Sequence, residues 1–308
     1  YSSAASDVYK RQEENLMKER KRKPWWARFL LWILGIVITT GLSFGGACIF
    51  LKVKYDISVF ATISQIKTLN QTVNEEKKFD NIITEEDKAS AQTSINAQLE
   101  NLITYSAEDG YKMSSAVPMK GTLKLTDKQV GALLKIILES SNSPKVNIGG
   151  NELGFDILQV KFSEIETNVK SDVNIVAKID ASSLKEKFSS FPLNIIGKRI
   201  PSTLYVSATV TIQKGESQFT YTLTGKSLEI NNLDAKQTES FIKTIDTFLK
   251  CGDAKTLCES IAKPFIDGLI GTEENKGFAL TLKGVGATDF NFETTDGVNY
   301  FVVEKTVV

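Results

Sequence analysis

The chain has 308 residues, 37 of them basic and 37 acidic. A net charge of zero argues against nucleic acid as the main partner, because binding a phosphate backbone needs an excess of cations. There is no histidine, and cysteine and methionine are scarce at three each; this removes Ser-His-Asp and Cys-His catalysis, histidine-ligated zinc and four-cysteine metal sites, and no cofactor or metal is expected.

Ser2 to Gln12 reads SSAASDVYKRQ, which matches a translated transposon-based sequencing adapter, so residues 1–12 are expected to be a scar outside the natural protein. Residues 13–28 hold six Lys or Arg against three Glu and read as a basic cytoplasmic tail. Phe29 to Leu51 then runs for 23 residues without a charge. At ~1.5 Å per residue, a helix of that length crosses a hydrocarbon core of ~30 Å with some tilt. Four of the five arginines precede this run, which places the N-terminus in the cytoplasm and the rest outside the cell membrane. Trp25, Trp26 and Arg28 are expected at the near membrane interface and Lys52 at the far one. A cleaved signal would have a shorter apolar stretch, and lipidation at Cys48 would favour leucine where Gly45 stands. Gly41 and Gly45 form a GxxxG pair, which permits a homodimer through the span.

Residues 52–112 are polar and read as a mostly helical stalk. Val53, Tyr55, Ile57, Val59, Ala61 and Ile63 alternate as in a strand, whereas Ile66, Leu69 and Val73 step as in a helix. Thr84 with Asp87 forms a capping arrangement, and Ala91, Ile95, Leu99 and Leu102 give one apolar face to a helix over about 85–104.

From 113 to 308 the texture is that of a folded α+β domain. Gly121 to Leu125 reads as a strand; Thr126 and Gln129 make a capping box for a helix whose stripe is Val130, Leu133, Leu134 and Ile137. Residues 152–180 are extended, and from Val169 to Ile179 they alternate as a half-buried strand with one wet face. A short helix over Ser182–Phe188 ends at Pro192. Leu204 to Ile212 alternate, Lys214 to Ser217 turn, and Phe219 to Leu223 return. A helical pair follows, with Phe241, Ile242, Ile245, Phe248 and Leu249 on the first apolar face and Leu257, Ile261, Phe265 and Leu269 on the second. Cys251-Gly252 breaks the pair and Pro264 interrupts its second member. Phe278, Leu280 and Leu282 read as a strand, and the tail continues as strands around Gly297. The expected architecture is thus one transmembrane helix, a helical stalk, and a long antiparallel sheet packed on amphipathic helices.

Few motifs carry chemistry. S-x-x-K occurs at Ser64/Lys67, Ser182/Lys185, Ser240/Lys243 and Ser260/Lys263, close to the frequency that this Ser and Lys content gives by chance, and without the companion S-D-N and K-T-G motifs. Glu164/Glu166 and Glu273/Glu274 are carboxylate pairs that read as solvated surface. Cys251 and Cys258 lie seven residues apart at the helical junction, where either a disulfide or two buried thiols would fit.

The basic start, the single anchor, KLTDKQVGALLKIIL over 124–138 and SLEINNLDAKQTESFIKTI over 227–245 together resemble the YpmS-like family of anchored envelope proteins. The opening helix of the domain is similar to that of tubular lipid-binding (TULIP-like) domains. A long sheet with one apolar face beside amphipathic helices leaves room for an apolar groove between them, so the expected protein is a non-enzymatic envelope protein that takes a lipid or other amphiphile, with Val130, Leu133, Leu134, Ile137, Phe241, Ile245 and Phe248 lining the groove. The alternative is a cell-surface interaction or regulatory module that docks an envelope protein and takes no small molecule. Protease added to intact cells is expected to digest the C-terminal portion and spare the basic tail; a protected C-terminal portion would reverse the orientation.

Overall fold

The computed structural model describes residues 52–53, 58–114, 117–140, 145–148, 151–182, 200–249, 252–274 and 276–305. The adapter-like start, the basic tail, the apolar run 29–51 and most of the Ser182–Phe188 helix lie outside them. Among the described residues no helix is long and apolar enough to cross a membrane. The chain divides into two compact units, Tyr1–Val59 and Phe60–Val308, and nearly all described residues belong to the second.

The second unit is α+β, and its described strands pair antiparallel throughout. It opens with α1 (Val59–Leu69), the short α2 (Glu75–Lys78) and α3 (Glu85–Gln98). A hairpin of β1 (Ile103–Ser106) and β2 (Gly110–Met113) precedes β3 (Leu123–Thr126) and α4 (Asp127–Ser140). Five strands then form one sheet in sequence order: β4 (Lys145–Ile148), β5 (Asn151–Glu166), β6 (Lys170–Asp180), β7 (Thr203–Lys214) and β8 (Tyr221–Ile230). After α5 (Ala235–Leu249), α6 (Ala254–Leu269) and the single turn α7 (Phe278–Thr281), the chain ends in β9 (Ala287–Thr295) and β10 (Val298–Lys305), which join β3 in the order β3-β10-β9.

Three register shifts interrupt the ladders of this sheet, and two of them correct the phase of its period-two alternation over the core. On β6, Val173, Ile175, Ala177 and Ile179 face one side and are buried; on β7, Val206, Ala208, Val210 and Ile212 do the same. On β5 the inward residues are Phe155 and Ile157, then Val160 and Phe162, so the phase slips by one residue. The register shift between Ile157 and Gln159 absorbs the slip at Leu158. A second shift in β8 inserts Lys226 between the pairs Thr209–Ser227 and Val210–Gly225, so that Leu223 and Leu228 both reach the helix-covered side. Without these bulges, half of each strand would turn its apolar set to the wrong face.

The inward face packs against α4 and α6 in one core that also takes in Phe290, Phe292 and Phe301 of the three-stranded sheet. Phe162 meets Phe292 edge-on at 5.3 Å and joins the two sheets. The outward face is not wholly wet. Val176 and Leu158 are covered by Phe79, with Val73, Ile82 and Tyr205 around them. Farther along, polar side chains satisfy one another: the Asn174 amide donates to Ser207 and Thr209, and the Thr211 hydroxyl donates to Asp172.

The expected boundary at 112–113 does not separate compact units. Ala91, Ile95, Leu99, Leu102 and Ile103 sit in the main core, and α3 lies against α4. Fully burying Ile95 and Leu99 stabilises the fold by about 1.5–3 kcal/mol each, which a free stalk could not gain. The alternation through Ile63 is overridden as well: the chain is helical from Val59, because Ile66 and Leu69 at helical spacing find Leu233 and Phe241. Both capping boxes form, Thr84 with Asp87 and Thr126 with Gln129. The α3 helix ends at Gln98, and the Asn96 side chain then ties down the start of β1 through Ile103. The 152–180 stretch is two strands, and its turn places Asn168 at φ 62. Phe278 to Val285 is helical, with Phe278, Ala279 and Leu282 buried at spacings that a strand could not produce.

A Cβ on Gly225 would stand 2.5 Å from the Lys255 carbonyl oxygen, whereas one on Gly284 would meet nothing within 4 Å. Gly225→Ala is therefore expected to destabilise by about 1–3 kcal/mol in denaturant unfolding, and Gly284→Ala to be neutral or slightly stabilising.

Candidate functional site

A cleft of about 510 Å³ lies between α6 and the loop that follows it, lined among the described residues by Ser260, Lys263, Pro264, Asp267, Gly268, Lys276 and Gly277. Ser260, Pro264 and Asp267 recur every three or four residues, so they share one face of α6. The loop returns to this face because Gly271, at φ 104, reverses the chain, and because Gly277 packs backbone to backbone on the helix end. A Cβ on Gly277 would fall 2.1 Å from the Asp267 carbonyl oxygen. Only glycine permits that approach.

At the back of the cleft a buried carboxylate is held from two sides. The Tyr221 hydroxyl of β8 donates to Asp267 Oδ1, and the Lys263 ammonium contacts Asp267 Oδ1 at 3.2 Å and Oδ2 at 3.1 Å. Burial, followed by the hydrogen bond to Asp267, pushes the Tyr221 phenol far above its ordinary range, so it stays a donor. Asp267 is thereby neutralised in place while Lys263 remains more than half exposed at the wall. Lys276 stands exposed on the loop and, among the described residues, makes no ion pair.

Pro264 adds an acceptor. Lacking an N–H, it cannot bond the Ser260 carbonyl one turn earlier, so that oxygen loses its usual helical donor. The Ser260 hydroxyl instead donates to Thr256 O at 2.8 Å. Ser260 and Lys263 are thus the one S-x-x-K pair lining this cleft, but the lysine is engaged by Asp267 and the serine by the helix backbone. That geometry does not make a nucleophile and its base.

A second cleft of about 280 Å³ lies where β8 meets the starts of α5 and α6, with Lys226, Lys236 and Lys255 balanced by Glu239 and Asp253. Two of its charges are already committed: Asp253 caps α6 through the Thr256 N–H, and Lys226 bridges Glu164 and Asp172. Burial alone would raise the Asp172 carboxyl, but its bonds from Lys226 and Thr211 hold it below its ordinary value. Glu166 pairs separately with Lys170, so Glu164 and Glu166 do not act together. Among the described residues no group of three or more His, Cys, Asp or Glu could hold a metal ion.

The groove residues expected from sequence whose side chains are described fall into two separate clusters. Val130, Leu133 and Leu134 are interior to the main core, and Ile137 packs at its margin. Phe241 belongs to a separate small cluster with Ile66, Leu69 and Leu233. Ile245 and Phe248 fall within α5, but their side chains lie outside the described set. The stripe on α4 therefore fills the space over β5 and forms no open lining there. Trp25, Trp26, Arg28, Gly41 and Gly45 are outside the described residues; Lys52 is within them and exposed. Cys251 is also outside, and of the two cysteines that could have formed a disulfide or stayed as buried thiols, Cys258 is a free buried thiol. Its Sγ points into the sheet, 3.2 Å from the carbonyls of Thr209 and Ser227. Sequence reasoning passed over Tyr221, Asp267 and Lys276. The i,i+4 spacing of Lys263 and Asp267 was a legible signal, whereas Tyr221 reaches them only through the fold.

No family model, curated protein or solved structure matches this chain.

Burial pushes the Cys258 thiol up to about 11 from an ordinary 9.0. The unfolded chain loses this proton first, so the stability it represents is complete below pH 9 and drains away as pH rises towards 11. Cys258→Ser is expected to flatten the alkaline limb of the pH–stability curve by on the order of 2 kcal/mol. In the unvaried chain, Cys258 is expected to react with a thiol reagent at neutral pH only after unfolding.

Proposed function

We propose that this chain is a non-enzymatic, membrane-tethered envelope protein whose external domain holds the polar end of a lipid or other amphiphile in the α6 cleft. The single observation that carries this reading is a preformed recess with two lysines at its wall, a neutralised carboxylate at its back and a proline ring with two glycine backbones as its apolar surface. Sites for small molecules combine a largely apolar lining with a few fixed polar groups, and this recess has that composition. The uncharged run 29–51 supports the tether, since it would keep the domain within reach of bilayer lipid.

This reading moves the ligand from the interior, where the α4 side chains are packed, to a recess at the surface. Full chain extracted from membranes into nanodiscs and examined by native mass spectrometry is expected to retain an amphiphile that Lys276→Glu releases. A chain free of amphiphile that instead retains a stoichiometric protein partner would count against lipid binding and favour a docking role.

A further inference from the structure

We infer that the cleft recognises a phosphate group whose ester carries a neighbouring hydrogen-bond donor, such as a hydroxyl; this rests on the reading that the cleft binds the polar end of an amphiphile. The charges decide the sign of the ligand. Asp267 is the only carboxylate among the described lining residues, and it is already taken by the Tyr221 hydroxyl and the Lys263 ammonium. A cation would have to displace Lys263 from a buried carboxylate. An anion meets Lys263, held in position by Asp267, together with Lys276, which has no acidic partner among the described residues. An ammonium offers three donors, so Lys263 can bridge Asp267 and a bound oxyanion at once.

The proline decides what else the ligand needs. The Ser260 carbonyl has lost its helical N–H to Pro264, and the Ser260 hydroxyl spends its own proton on Thr256. Both Ser260 oxygens therefore present acceptors and no donor. Along the helix axis Ser260 and Asp267 are about 10 Å apart, at ~1.5 Å per residue. Lys276 adjoins Gly277, which abuts Asp267, so the cation pair lies towards the Asp267 end and the acceptors towards the Ser260 end. A polar group anionic at one end and donating at the other matches that order, and a bare anion uses half of it. Lys263 and Lys276 bind the phosphate, and Asp267 is a positioning residue that acts through Lys263.

The test uses the full chain in phosphatidylcholine nanodiscs, titrated calorimetrically against empty discs. The probes are a short-chain phosphatidylglycerol, sn-glycerol 3-phosphate, methyl phosphate and octyl glucoside below its micellar concentration. Phosphatidylglycerol is expected to bind best and glycerol phosphate better than methyl phosphate. Lys276→Ala should weaken every phosphate probe about tenfold. Pro264→Ala restores an N–H to the Ser260 carbonyl, and it should erase the preference for glycerol phosphate over methyl phosphate. Thermal melts identify any variant that fails to fold, and Lys276→Ala, which removes no ion pair among the described residues, carries the test alone if the proline variant does. Octyl glucoside binding as tightly as phosphatidylglycerol, with Lys276→Ala indifferent, would overturn the phosphate inference and leave the amphiphile reading standing. Glycerol phosphate binding as tightly as the lipid would uphold the phosphate inference and overturn the amphiphile reading. No binding by any probe would overturn both.

Discussion

The continuous apolar face that β5 to β8 turn towards α4 and α6 is the constraint on which the other features rest. Strand side chains alternate strictly, yet neither β5 nor β8 alternates along its whole length. The extra residues at Leu158 and Lys226 reconcile the two. Each bulge also has work on the far side of the sheet. Leu158 joins Phe79 and Val176 under the 73–83 segment, and Lys226 reaches the carboxylates of Glu164 and Asp172. The residue that must be set aside to keep the core in phase is in both cases the residue that closes the opposite face.

The same economy governs α6. Its inward side gives Cys258, Ile261, Ala262 and Phe265 to the core, and Phe155 meets Phe265 edge-on at 4.8 Å. Its neighbouring side carries Ser260, Pro264 and Asp267 into the cleft. Asp267 belongs to both arrangements, since its Tyr221 partner stands on the sheet and its Lys263 partner stands at the cleft wall. A carboxylate buried with the Tyr221 hydroxyl alone would carry an uncompensated charge, which is costly in a low-dielectric setting. The rigidity of the cleft back wall therefore follows from the packing of helix on sheet.

Local signals in the sequence were faithful where local chemistry decides the outcome. Thr84–Asp87 and Thr126–Gln129 named two helix starts, Gly252 a helix break, and the alternation of β7 a strand. They failed where distant contacts decide. Nothing near Val59 announces that Ile66 and Leu69 will find Phe241, and the turn between β5 and β6 contains no glycine or proline, only Asn168 in a left-handed conformation. Phe278, Leu280 and Leu282 fit either period until the close approach of Gly271 and Gly277 fixes a helical turn. The cleft was illegible for a related reason. Its basic and acidic groups sit on α6 and its loop, but the Tyr221 hydroxyl that completes it comes from a strand 46 residues away.

The pairing of β3 with β10 has an effect on the timing of folding. Leu123 lies opposite Val303, and Leu125 opposite Phe301, so β3 gains its only neighbour in the sheet from the last described strand. Synthesis runs from the N-terminus, and β3 must remain unpaired until β10 has been made. Over that interval Leu123 and Leu125 have no β10 to cover them, and such exposed strands are where association between unfinished chains begins. A late, long-range closure of this kind makes folding slow compared with the local hairpins.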